Sequence, residues 1–76
     1  MNPLMLRQLW SSIENSQVNI LLSLDDTSLI QWLIKQFKQE QSLNQDETNM
    51  IDNYLRTKLS LIRDIAQERI GTESMG

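Results

Sequence analysis

Apolar residues recur along this chain at three- and four-residue steps, the spacing of one face of an α-helix, and the sequence divides into three such runs. The longest covers 44–70, with Met50, Ile51, Tyr54, Leu55, Leu59, Leu61, Ile62, Ile65, Ala66 and Ile70 in phase. Asn44 can cap its first free backbone N–H groups, and Glu47, three residues on, can reach back to complete a capping box. Asp46 and Glu47 favour the positive end of the helix dipole, Arg69 the negative end, and Gly71 is suited to closing the helix. A helix over 45–70 is roughly 40 Å long.

The first run opens on Asn2-Pro3, a cap followed by a residue that loses nothing in the first helical turn. Leu6, Leu9, Trp10, Ile13, Ile20 and Leu21 form its apolar side, interrupted by Gln17, and predict a continuous helix over 3–22. A break at Asn15-Ser16, with a shorter helix ending near Glu14 and an irregular stretch over 16–23, is the alternative. The second run predicts a helix over 25–40, capped by Asp25 and stapled by Leu24 and Leu29. Leu29, Ile30, Trp32, Leu33, Ile34 and Phe37 cover roughly 200° of its circumference, too wide for one neighbour and enough for two. Only 20–22 resembles a strand, and it is too short.

The expected architecture is all-α: a small antiparallel three-helix bundle with a long C-terminal helix as its spine. The short connector at 41–43 makes the second and third helices antiparallel neighbours. The third overhangs the second by about ten residues, carrying Leu61, Ile62, Ile65 and Ile70 beyond the hairpin, to be covered by the first helix or by another subunit. Residues 1–71 form a single domain, and 72–76, with Met75 its only apolar side chain, are expected to be disordered.

Size and composition then narrow the partners. A chain of 76 residues builds a marginal core unless something reinforces it, and with no cysteine or histidine neither a disulfide nor an ordinary metal site is expected. Twelve leucines and eight isoleucines supply regular helix packing, and sharing the core between two copies is the other route. The long helix carries a second apolar face, Met50, Tyr54, Leu61 and Ile65, beside the first, Ile51, Leu55, Leu59, Ile62 and Ala66. A homodimer through that second face is expected, with Lys58, set in the apolar arc, adjusting register or reaching water from a packed stem. Trp32 stands at the margin of the second helix towards Lys35 and Gln39, where a larger protein partner would meet it.

Trp32, Tyr54, Lys58, Leu61 and Ile65 are thus the candidate contacts. No catalytic residue, cofactor or metal ligand is expected: His and Cys are absent, and two glycines, Gly71 and Gly76, make no phosphate-binding loop. Net charge −3 offers no general attraction to phosphate backbones or anionic lipid. The helix beginning at Gln45, Asp46, Glu47 and Thr48 lacks the cations a DNA-reading helix needs, so direct nucleic-acid binding is not expected. A transcription-associated regulator that meets a DNA-binding protein, or touches nucleic acid weakly through Lys35, Lys38, Arg56 and Arg63, is the alternative function. No run reaches the ~18 apolar residues of a membrane span, and the start of the chain is too short and charged for a signal peptide, so no membrane is expected and the cytoplasm is the expected location.

Overall fold

Four helices succeed one another in the computed structural model, which describes residues 3–75 and their side chains as far as Ile70: α1 (Pro3–Glu14), α2 (Val18–Ser23), α3 (Asp26–Glu40) and α4 (Gln45–Met75). There is no strand among the described residues. Each helix contributes the stripe that its periodicity predicts: Leu9 and Ile13 from α1, Leu21 from α2, Leu29, Ile30, Leu33, Ile34 and Phe37 from α3, and Ile51, Leu55, Ile62 and Ala66 from α4, all buried in one cluster. The wide apolar arc of α3 meets two neighbours, α1 and α4.

The continuous first helix over 3–22 is corrected to two helices, and the cause is local. At Ser16 the backbone N–H donates to the Ile13 carbonyl (3.1 Å) rather than to Ser12, whose carbonyl accepts from the Ser16 hydroxyl instead (2.9 Å). A serine hydroxyl that takes the carbonyl of the preceding turn competes with the helix ladder, and here it ends it. Gln17 becomes extended at φ −67°, ψ 132° and turns to solvent. The polar interruption of a continuous apolar face is thereby removed from that face. The segment after the break is not irregular, as the alternative had it, because 18–23 re-forms a short helix.

α2 also resolves the overhang of α4. It packs on α4, and the buried Leu21 belongs to the same core as Ile62 and Ala66. At the start of α4 the capping box is complete: the Glu47 N–H donates to Asn44 Oδ1 (2.7 Å) and the Asn44 N–H to Glu47 Oε1 (3.0 Å). Asp25 precedes α3 in extended conformation but its side chain makes no cap bond; only its carbonyl accepts, from the Leu29 N–H at 2.8 Å. Of the expected staple, Leu29 is buried in the core and Leu24 packs half-buried against it.

At its far end α4 passes through Gly71 and continues to Met75, so the helix stop expected at Gly71 is not used, and no described glycine has positive φ. The cap expected from Asn2 lies outside the described residues, as do Gly76 and the side chains from 71 onward; the backbone over 72–75, expected as a disordered tail, continues α4.

Candidate interaction surface

The side of α4 next to its core stripe carries Met50, Tyr54, Leu61 and Ile65. Met50 and Leu61 are eleven residues apart, which places them roughly 20° apart around the helix and about 16 Å apart along it. Both are open to solvent, Met50 at 44% and Leu61 at 46% of their full exposure, while Tyr54 and Ile65 are half-buried. The other exposed large apolar side chains among the described residues are Leu4 on α1 and Ile70, which lies on the opposite flank of α4.

Tyr54 and Lys58 are held within the protomer. The Trp10 indole N–H donates to the Tyr54 hydroxyl at 2.8 Å, and the two rings meet edge to face with centroids 6.3 Å apart. Lys58 places its ammonium 5.8 Å from the centroid of the Tyr54 ring, a cation–π contact whose stem lies half-buried along the helix. These three side chains form a stack from α1 to α4 at the edge of the exposed stripe. Leu61 and Ile65 lie one and two turns beyond it.

Trp32 is on another surface. It is half-buried against the core and lines a small cavity of about 220 Å³ with Ser12, Gln17 and Ile20 from the α1–α2 corner and Gln36 and Glu40 from α3. Lys35 and Gln39, which the sequence groups with Trp32, line a different and larger groove between α3 and α4. The structure therefore brings together Tyr54, Lys58, Leu61 and Ile65 and leaves Trp32 apart.

Two residues that organise these surfaces escape a reading by periodicity. Arg63 donates from Nη1 to the Leu21 carbonyl and from Nη2 to the Leu24 carbonyl and Asp26 Oδ1, each at 2.9 Å. Arg69 donates from Nη1 to the carbonyls of Glu14 (2.9 Å) and Ser16 (3.2 Å). Both guanidinium groups thus answer carbonyls that the ends of α1 and α2 leave without helical partners, at the negative pole of each helix. The signal in the sequence is an arginine at or beside an apolar stripe, which by itself reads as a surface charge.

Among the described residues no three His, Cys, Asp or Glu side chains come together as a metal site, and no helix is long and apolar enough to cross a membrane. Comparison of the chain with protein-family models, with curated proteins and with solved structures finds no match.

Proposed function

We propose that this chain is a non-enzymatic protein–protein interaction module, an antiparallel helical bundle that self-associates as a homodimer through the Met50/Leu61 side of α4. The observation that carries the reading is the pair of large apolar side chains left open on one side of the longest helix, in a chain small enough to gain from a shared core. Two-fold pairing of α4 with its copy, the axis midway between the two positions, sets Met50 of one protomer against Leu61 of its partner twice. Ile65 borders that contact, and Tyr54 and Lys58 form its firm edge. The antiparallel course is supported by Asp26, at the start of α3, meeting Arg63 far along α4, while 41–44 join the opposite ends.

A cytoplasmic setting suits a chain without cysteine. Direct nucleic-acid contact is less well supported, because Arg56 is paired with Asp52 at 2.6 Å and Arg63 is engaged by two carbonyls and Asp26. The apolar stripe of α1 is not free to lie on a membrane surface, because Leu9 and Ile13 are in the core.

Light scattering across a dilution series tests the reading. Wild type should show the dimer mass and fall towards the monomer on dilution, and Leu61→Glu should be monomeric throughout with unchanged helical content by circular dichroism. A wild type that is monomeric at every concentration, or a dimer untouched by Leu61→Glu, overturns it.

A further inference from the structure

The groove between α3 and α4 lies away from the self-association stripe. Asp52 on its α4 wall is nine residues from Leu61, which is roughly 180° around the helix. The groove is shallow and open to solvent, with a volume of about 620 Å³; Gln31, Ile34, Lys35, Lys38 and Gln39 form the α3 wall, and α4 contributes its first two turns from Gln45 to Asp52. Ile34, buried and part of the core, is the one apolar side chain in its lining, and the alkyl stems of the lysines and glutamines supply the rest of its apolar surface.

The charges in this groove are unbalanced in one direction. Of the seven cations in the chain, Arg56 and Arg63 are in ion pairs, Arg69 holds backbone carbonyls, Lys58 sits over Tyr54, and Arg7 is exposed on α1, away from this groove. Lys35 and Lys38 are exposed and make no ion pair among the described residues, although the chain carries ten carboxylate side chains. The one carboxylate lining the groove, Asp52, is already held by Arg56. Two free ammonium groups one helical turn apart therefore stand beside Ile34, in a channel bounded by two helices.

We propose that this groove docks a short amphipathic α-helix of a partner protein, its apolar stripe on Ile34 and the lysine stems, and acidic residues three or four positions apart facing Lys35 and Lys38. A helix laid between two helices is the shape such a channel accepts, and the spacing of the two lysines matches carboxylates on successive turns. Glutamine and asparagine amides along both walls can donate to or accept from the occupant's polar edge. A polyanionic nucleic acid suits the groove less, because Asp46, Glu47 and the net charge of −3 oppose an extended phosphate backbone.

Two synthetic amphipathic helical peptides test this, one with glutamates flanking its apolar stripe and one with lysines in their place, each titrated into the isotope-labelled full chain while backbone amide resonances are followed. The acidic peptide should move the signals of Lys35, Lys38, Gln45 and Asn49, and added salt should weaken it. Lys35→Glu/Lys38→Glu should weaken it about tenfold or more and favour the lysine peptide, with Lys35→Gln/Lys38→Gln between the two. Equal binding of both peptides, no binding, shifts centred on Met50 and Leu61, or a duplex oligonucleotide that moves the groove signals more than the acidic peptide overturns the proposal. Leu61→Glu leaves the expected binding unchanged, so the groove and the self-association stripe fail or stand separately.

Discussion

Replacing Arg63 by alanine removes three hydrogen bonds that hold α2 and the start of α3 onto α4. Their contributions are unequal. The pair with Asp26 is largely solvated, since the Asp26 side chain is 71% exposed, and is worth about 0–0.5 kcal/mol. The bonds to the Leu21 and Leu24 carbonyls come from a charged donor that is only 26% exposed; each is worth about 1–1.5 kcal/mol after partial rehydration of the carbonyl it leaves. Arg63→Ala is therefore expected to cost about 2–3 kcal/mol, against a total stability of roughly 4–11 kcal/mol for a chain of this size. Urea unfolding followed by circular dichroism measures it, with Asp26→Asn alongside as the variant that removes only the solvated partner. Arg63→Ala should lose several times more stability than Asp26→Asn, and exchange of the Leu24 amide, which donates to Ile20, should accelerate. Equal losses in the two variants would refute the assignment of the stabilisation to the carbonyls.

Tyr54→Phe removes the acceptor of the Trp10 indole N–H; it should cost about 1 kcal/mol in the same unfolding assay and shift the tryptophan emission. Phe37→Ala empties the centre of the core and should cost about 3–5 kcal/mol, enough to leave much of the chain unfolded when read by thermal melting. Asn44→Ala breaks one half of the capping box, with an expected loss of about 1 kcal/mol and fraying of the first turn of α4 seen as faster exchange of the Glu47 amide.

What could be read from the sequence follows from which forces act locally. Asn44 and Glu47 announce a helix start because both partners of the capping box lie within four residues, and the structure forms it. The same reasoning places Asp25 at the head of α3, yet its carboxylate makes no cap bond, and the neighbouring Asp26 is bound to Arg63, a partner 37 residues away that no local rule shows. The apolar stripes of α3 and α4 were legible as core because a period of 3.6 residues persists over many turns. The break after Glu14 was harder, since it depends on one hydroxyl winning a carbonyl from one amide.

The candidate contacts divide in the same way. Leu61 stands exposed and Tyr54 and Lys58 lie beside it, all on one helix where position follows from spacing. Trp32 shares its margin of α3 with Lys35 on a helical projection, but the neighbouring helices separate them into two concavities, and a projection of one helix carries no knowledge of its neighbours. Arg63 and Arg69 are missed for a related reason: the carbonyls they hold exist only once α1 and α2 have ended.

The most direct test of the self-association reading is an isotope-filtered nuclear Overhauser experiment on a sample mixed from labelled and unlabelled protomers, which detects contacts only between copies. Cross-peaks are expected between the Met50 methyl of one protomer and the Leu61 methyls of its partner, with Ile65 at the border. Absence of intermolecular cross-peaks at a concentration where wild type is to be dimeric, or cross-peaks that map to α3 in place of α4, would contradict it.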